Sequence, residues 1–206
     1  MANTNRAFGL RLVGTLGMQS TNLAIKRFRI PASDGTATFI GDPVKILTGG
    51  TGLAAANLNQ VDGLPQVIRA AAAGDLGSVA LAGVIVGFAF DPTNLNNNYR
   101  LASTDRDVFV CVDPNAVYEI QGDVTGIAAA NLSQNTDITM TAGSTTTGQS
   151  AAVAKVGALG TTATAPLRVV GFVHDASNDV TSAPYVRVHV KINNHFYGAA
   201  TGTAGV

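Results

Sequence analysis

The stretch "YVRVHVKIN" (185–193) carries the strongest structural signal in the chain. Apolar and polar residues alternate along it: Val186, Val188, Val190 and Ile192 hold one set of positions, and Arg187, His189 and Lys191 hold the other. Alternation with a period of two predicts a β-strand whose two faces meet different surroundings. We expect the strand to bury its β-branched residues and to turn its charged residues outward.

Shorter runs of the same kind recur along the chain, among them "AIKRFRIP" (24–31), "DVFVCV" (107–112), "AVYEIQ" (116–121) and "LRVVGFV" (167–173). Turn-forming clusters such as "SDG", "VDPNA" and "ASND" separate them. About ten strands at this spacing predict an all-β fold, an antiparallel sandwich or barrel of jelly-roll-like type with short helical turns. We expect a single domain over residues 1–206 with extended terminal arms at 1–8 and 197–206.

Two nearly identical nonapeptides, "GLAAANLNQ" (52–60) and "GIAAANLSQ" (126–134), contain no titratable side chain. Each follows a Gly-Asp pair and precedes a Val-Gly-Phe triplet. The alanine-rich centre favours a short helical turn. The shared order predicts either an internal pseudo-repeat of residues 39–90 and 119–175 or two equivalent corner turns in a two-sheet fold.

The composition is poor in charge. Charged residues make up 13% of the chain, about half of the ~25% usual in soluble domains. A free monomer with so few charges would be poorly soluble, so we expect neighbouring proteins to cover much of its surface. Thirteen basic residues balance thirteen acidic ones without a Lys/Arg block, which argues against a nucleic-acid partner. The lone Cys111 excludes an internal disulfide.

The segment 70–90 is apolar enough to be considered as a possible membrane span. Asp75 and several glycines interrupt it, and its uncharged part is shorter than the ~20 residues that cross a bilayer. The N-terminal residues lack the basic and apolar regions of a secretory signal. We therefore expect no membrane partner.

No arrangement typical of a catalytic, cofactor or metal site stands out. The stretch "GTGLAA" (50–55) matches a dinucleotide fingerprint, but the helical stretch behind it is too short to hold a pyrophosphate. The acidic loop "DASND" (175–179) lacks the glycine and glutamate that a calcium loop needs at positions six and twelve. We predict that the protein is not an enzyme and takes no cofactor, metal or small-molecule substrate.

The run "GVIVGFAFDPTNLNNNYRLASTDRDVFVCVDPNAVYEIQ" (83–121) resembles the central signature of a family of tailed-bacteriophage virion proteins, the head decoration or cement proteins. The segments "FGLRLVG", "IPASDGTATFIGDPVKI", "LRVVGFVHDASND" and "VRVHVKINNHF" are similar to the same family in the same order. The resemblance covers residues 8–196 and rests on turn and strand residues. The chain departs from it at Cys111-Val112, where a small or acidic residue is expected, and in its "GAATGTAGV" tail.

The resemblance implies a virion protein that binds the outer surface of the phage head and bridges adjacent major-capsid subunits. Its partners would be the major capsid protein and other copies of itself, as a homodimer or a homotrimer, and it would be assembled in the host cytoplasm. Aromatic residues dominate binding energy at interfaces. The candidate interface residues are the aromatic anchors Phe8, Phe196 and Tyr197, and a polar face that would meet an acidic capsid surface, Arg187, His189 and Lys191.

Two alternatives remain open. The chain could be another virion component, such as a minor capsid protein, a head-fibre base or a tail-tube protein, which copy number and location in the particle would distinguish. It could also be a carbohydrate-binding module used for adhesion. Sugar sites usually present exposed aromatic platforms, however, and this chain contains no Trp and only four Tyr.

Overall fold

The computed structural model describes residues 3–16, 24–47, 64–70, 80–91, 94–181, 184–199 and 201–205. These residues form the strands β1 (Arg11–Thr15), β2 (Ile25–Ile30), β3 (Pro43–Ile46), β4 (Val67–Arg69), β5 (Gly83–Phe88), β6 (Arg106–Cys111), β7 (Ala116–Gln121), β8 (Asn135–Thr139), β9 (Val153–Gly160), β10 (Leu167–Phe172) and β11 (Arg187–Ile192). All strand pairs within the two sheets are antiparallel, which confirms the predicted all-β class. The helical turn predicted in the second nonapeptide is a 3-10 turn, Ala129–Asn131.

The two sheets follow the same path through their strands. The five-stranded sheet has the order β2-β6-β5-β3-β4, and the six-stranded sheet has the order β1-β7-β11-β10-β8-β9. We call β2–β6 the first half and β7–β11 the second half; β1 is an addition beside β7. We number the five strands of each half from one to five along the chain. Their order across the sheet is then first, fifth, fourth, second and third in both halves.

The pairing register is shared as well. In the fourth strand of each half the register shifts at the valine of a Val-Gly-Phe triplet, Val86 in β5 and Val170 in β10. Each valine is the extra residue of a β-bulge, which bends the strand and increases its twist. The residues before the shift, Ile85 and Val169, are therefore equivalent, and the two triplets mark corresponding places.

Along the chain, the two nonapeptides fall between different strands of their halves. The second copy lies between β7 and β8, the first and second strands of its half. The first copy falls in the chain between β3 and β4, the second and third strands of its half, and residues 52–60 lie outside the described residues, as does the stretch 50–55. The two corresponding halves, β2–β6 and β7–β11, thus span different residues from the predicted pseudo-repeat of 39–90 and 119–175.

Each half also closes on itself through one parallel bridge. In the first half Arg29 of β2 bridges Gln66, next to β4, and the Arg29 N–H donates to the carbonyl of Pro65 at 3.0 Å. In the second half Gly122, next to β7, bridges Ala154 of β9. First and third strands meet in the same way in both halves, so each sheet curls into a small barrel.

Two clusters of buried side chains fill this architecture. One lines the inside of the first half: Phe28, Ile30, Val44, Val67, Ala82, Ile85, Val108, Val110 and Val112. The other fills the second half and extends across the seam to residues of the first half and the N-terminal segment, Leu10, Ala70, Leu81, Val84 and Cys111. Each half therefore has its own apolar core, and the core of the second half extends across the seam.

Three segments cross that seam. The N-terminal segment joins the first half where the Leu10 N–H donates to the Gly41 carbonyl at 2.9 Å. The loop between β8 and β9 reaches back to form a parallel bridge between Gln149 and Ile40. The C-terminal segment joins through a bridge between Leu81 and His195.

Both chain ends lie against the domain in their described residues, which differs from the extended arms predicted at 1–8 and 197–206. The Asn3 side-chain amide donates to the carbonyls of Asp179 and Pro184, each at 3.0 Å. At the other end, the Thr203 N–H donates to Oδ1 of Asn193 at 3.1 Å. Asn193 is buried, so the bonds of its amide to the tail satisfy polar atoms that would otherwise be unpaired.

Candidate interaction surface

The described part of the chain offers no metal centre, since it contains no group of three or more His, Cys, Asp or Glu residues that could hold an ion. None of its described helices is long and apolar enough to cross a membrane. What the fold does present is apolar side chains at the surface. Two places combine such side chains with candidate interface residues.

The first place is an aromatic patch formed by Lys26, Phe196 and Tyr197. The rings of Phe196 and Tyr197 meet edge to face with their centroids 5.1 Å apart, and both side chains are more than 40% exposed. Lys26 Nζ lies 5.2 Å from the centroid of the Tyr197 ring, a cation–π arrangement. The patch therefore joins a strand of the first half to the C-terminal segment.

A hydrogen-bonded turn that starts at the buried His195 fixes the backbone of the two aromatic residues. The Phe196 N–H donates to the carbonyl of Leu81 at 2.8 Å, and the Tyr197 N–H donates to Nδ1 of His195 at 3.1 Å. The Gly198 N–H closes the turn on the His195 carbonyl at 3.0 Å. Because the backbone is held on both sides, the exposed rings need to lose little conformational freedom when they bind a partner.

His195 beneath the patch is 2% exposed. Burial lowers the pKa of His195 to about 4, against the opposing effect of the Asp113 carboxylate. The imidazole is consequently neutral at pH 7, and its Nδ1 can accept the bond from Tyr197. Its Nε2 is buried and has no hydrogen-bond partner among the described residues, which makes this ring sensitive to any change in its surroundings.

The second place is a cleft of about 930 Å³ between the N-terminal segment and both halves. Phe8 lies on its wall, with the Arg11 guanidinium carbon 5.0 Å from the centre of the Phe8 ring. Two arginines of the cleft wall, Arg11 and Arg187, form ion pairs with the buried Glu119 of β7, the latter at 3.4 Å. The cleft wall is thus apolar beside Phe8 and cationic beside the two arginines.

The outer face of β11 is less cationic than its sequence indicates. Besides Glu119, Arg187 pairs with Asp175 at 2.7 Å. The Ser177 N–H and the Arg187 guanidinium lower the pKa of Asp175 to about 2, so this carboxylate stays charged at neutral pH. Arg187 therefore finds its counter-charges inside the chain, while His189 and Lys191 lie half-buried on the same face.

The six candidate interface residues consequently divide among three places. Phe196 and Tyr197 meet in the aromatic patch, Phe8 and Arg187 line the cleft, and His189 and Lys191 lie on the face of the sheet. Sequence reasoning missed Lys26 and Glu119. Glu119 lies opposite His189 on the neighbouring strand, and this position could have indicated its contact with the cations of β11. The position can be recognised only when the order of the strands is known.

Comparisons of the chain with protein-family models, with curated proteins and with solved structures found no match.

Proposed function

We propose that the chain is a bacteriophage virion structural protein, a decoration or cement protein that binds the outside of the head and stabilises contacts between major capsid subunits. The proposal starts from the resemblance of residues 83–121 and of four further segments to that family. The observation that carries it on the molecule is the aromatic patch, in which Phe196 and Tyr197 are exposed on a fixed turn.

The chemistry of the patch suits a protein partner. Exposed aromatic rings supply large contact areas, and a few such residues carry most of the binding energy of an interface. Lys26 adds a cation at the edge of the Tyr197 ring, which favours a partner surface that is apolar at its centre and acidic at its rim.

The charge content supports the same role. With 13% charged residues and no net charge, the chain resembles the cores of interfaces, where charged residues are depleted. Many copies on one shell would add their weak contacts into a strong hold through avidity. A repeated lattice of capsid subunits provides the geometry for that addition.

Rebinding to particles tests the proposal. Heads of the phage that encodes the chain are stripped of it and incubated with purified protein, and occupancy is measured as copies per head. We expect the double variant Phe196→Ala/Tyr197→Ala to bind about tenfold more weakly or worse, a loss of about 1.4 kcal/mol. The matched control is Leu95→Ala, which removes an apolar side chain that is 74% exposed elsewhere.

Two results would contradict the role. Wild-type protein that does not rebind, or that occurs at only a few copies per particle at one vertex, would exclude a cement function. Equal occupancy of the double variant and Leu95→Ala would keep the role but remove the aromatic patch from it. Sedimentation of the free protein would separately establish whether it is a dimer or a trimer.

A further inference from the structure

The two ring nitrogens of His195, which lies buried beneath the aromatic patch, are in opposite situations. Nδ1 accepts the Tyr197 N–H at 3.1 Å, whereas Nε2 is buried and has no hydrogen-bond partner among the described residues. A neutral imidazole carries one hydrogen, and the nitrogen that accepts a hydrogen bond is the one without it. The hydrogen of the neutral ring is therefore on Nε2, and Nδ1 holds the lone pair that the Tyr197 N–H uses.

A proton that binds to His195 must take this same lone pair. The imidazolium donates from both nitrogens, so its Nδ1–H would face the Tyr197 N–H and the bond between them would be lost. Burial opposes the proton further, because a charged ring in this place would also carry an unpaired N–H at Nε2. Proton binding at Nδ1 and the closed turn at residues 195–198 are therefore incompatible.

The turn is small, and its bonds depend on the position of His195. The Phe196 N–H donates to the Leu81 carbonyl at 2.8 Å, and the Gly198 N–H donates to the His195 carbonyl at 3.0 Å. The turn also packs closely on the loop after β6, since a Cβ atom at Gly198 would lie 3.0 Å from Cβ of Pro114. Because the imidazole belongs to the first residue of the turn, its movement into water would displace the backbone of both aromatic residues.

The surroundings of the ring favour its neutral form. Burial lowers the pKa of His195 to about 4, below the ordinary value of about 6.5. The Asp113 carboxylate, in the loop after β6, opposes this shift, and Lys191 of β11 reinforces it. Residues 80–82, which bridge to His195, bring no ionisable side chain, and Lys26 is the cation of the patch itself. The closed turn thus binds a proton more weakly than an open turn does, so acid favours the open turn.

We propose that the aromatic patch is a pH-gated contact: a proton on Nδ1 of His195 opens the turn at residues 195–198, so that the patch binds its protein partner at neutral pH and releases it in mild acid. The closed turn is fully favoured above pH 6.5, and the ratio of open to closed turn rises as the pH falls from 6.5 towards 4. Release of the partner rests on the proposed function, whereas the opening of the turn is a property of the chain alone.

Amide hydrogen exchange of the purified full chain measures the opening. The ratio of open to closed turn is obtained from the exchange rate of the Tyr197 amide, corrected for the intrinsic rate at each pH. We expect this ratio to rise about 70-fold between pH 7.5 and 4.5, as pKa values of about 6.5 and about 4 require. The Gly122 amide, which donates to the Val186 carbonyl at 2.8 Å, should stay better protected at every pH, because its exchange requires the second half to unfold.

The variant His195→Asn tests whether the imidazole is the group responsible. Its side-chain oxygen can accept the Tyr197 N–H and does not titrate, so the opening ratio should not rise with acid. Should this variant fail to fold, nitrogen NMR of the wild-type ring provides a second test. At pH 7.5 we expect Nδ1 of His195 to be unprotonated and Nε2 to carry the hydrogen, and the reverse tautomer would contradict the gate.

Rebinding to stripped heads tests the release. The affinity of the wild-type chain should fall between pH 7.5 and 4.5 in proportion to the closed fraction of the turn, and that of His195→Asn should not. Protein that fails to rebind at pH 7.5 would exclude the proposed function, and the exchange data alone would then decide whether the turn is gated.

Four results would overturn the gate. They are an opening ratio at Tyr197 that does not depend on pH, protection at Tyr197 equal to that at Gly122 at every pH, a turn that is still mostly closed at pH 4.5, and equal loss of affinity by the wild-type chain and His195→Asn.

Discussion

The loop that joins the first strand of each half to the second is held in two different ways. In the first half Arg100, fully buried, donates from a distant segment to the carbonyls of Pro31, Asp34, Thr36 and Thr104 at 2.7 to 2.8 Å. In the second half the loop relies more on its own side chains. The Ala128 N–H donates to Oδ1 of Asn131 at 2.9 Å and the Asn131 amide donates to Oε1 of Gln134 at 3.0 Å, while Asp123 adds one longer-range bond by accepting from the Val156 N–H at 3.1 Å.

The two halves share features of the backbone and differ in their side chains. Strand order, closing bridge and bulge position are common to both, and these are properties of the backbone. The side chains that support the loops differ in type and in distance along the chain. One path of the backbone can therefore be stabilised by a long-range cation or by a local turn, and the two solutions should respond differently to substitution.

The largest difference is expected at Arg100. Arg100→Met keeps an apolar stem but leaves four carbonyl groups, that of Pro31 buried and the others part-buried, without this donor, and we expect it to lower the free energy of unfolding by about 3–5 kcal/mol. Asn131→Ala in the second half removes a local, part-exposed pair of bonds and should cost about 1 kcal/mol. Urea unfolding of the two variants measures both. Equal losses would mean that the side chains of the two loops contribute alike to stability.

The seam between the halves should weaken in mild acid because of His195. Its folded pKa of about 4 lies below the ordinary value of about 6.5, so the unfolded chain binds the proton first as the pH falls. Stability from this group is complete above pH 6.5, declines between pH 6.5 and about 4, and is lost below that range. The difference amounts to roughly 3 kcal/mol.

The variant His195→Asn isolates this effect. Its amide oxygen can accept the Tyr197 N–H as Nδ1 does, and it does not titrate. Asp42 acts in the opposite sense, because burial raises its pKa despite the opposing charge of Arg69, so the difference between the two proteins is the quantity to measure. We expect the wild-type protein to lose stability relative to His195→Asn between pH 6.5 and 4. Parallel curves for the two proteins would show that His195 is not the group responsible.

The sequence predicted those parts of the fold that depend on local pattern. Alternation in β11 and the turn clusters were enough for the all-β class, because burial of one face of a strand leaves a period of two. The order of the strands could not be predicted from local pattern, because partners such as β2 and β6 are separated in the sequence by most of the first half. Along the chain the nonapeptides fall between different strands of their halves, whereas the short Val-Gly-Phe triplets coincide with a bulge in the fourth strand of each half.

The candidate site was predictable to a similar extent. Exposed aromatic residues near the C-terminus could be named from residue type, and Phe196 and Tyr197 do lie together. Lys26 could not be identified from the sequence, because its contact with Tyr197 forms only when the first half and the C-terminal segment pack together. The sequence predicts Arg187 as a free cation on the surface, but in the folded chain it forms ion pairs with Glu119 and Asp175.

A smaller effect is expected at Gly41, the covered edge of the first half. A Cβ atom at Gly41 would lie 2.9 Å from the carbonyl oxygen of Phe8 and 3.2 Å from the Leu10 nitrogen, at a φ of 91°. Gly41→Ala therefore combines backbone strain with a contact against the N-terminal segment, and we expect a loss of about 2 kcal/mol. Thermal unfolding and the exchange rate of the Leu10 amide report the two components. An unchanged Leu10 exchange rate would show that the segment is not held at this edge.

The smallest effect is expected at Ser133 in the second half and has the opposite sign. The Ser133 N–H donates to the Val169 carbonyl at 3.0 Å, as the Gly41 N–H donates to the carbonyl of the equivalent residue Ile85 at 2.9 Å. Ser133 adopts a φ of 68°, which costs a non-glycine residue about 1 kcal/mol or more. Ser133→Gly removes that strain, while the greater freedom of glycine in the unfolded chain offsets part of the gain, so we expect stability to rise by about 0.5 kcal/mol. Ser133→Ala, which keeps the Cβ atom and removes only the hydroxyl, is the matched control and should not gain. The sign of the change reports backbone strain at Ser133, and a destabilised Ser133→Gly would mean that this strain does not decide the stability of the position.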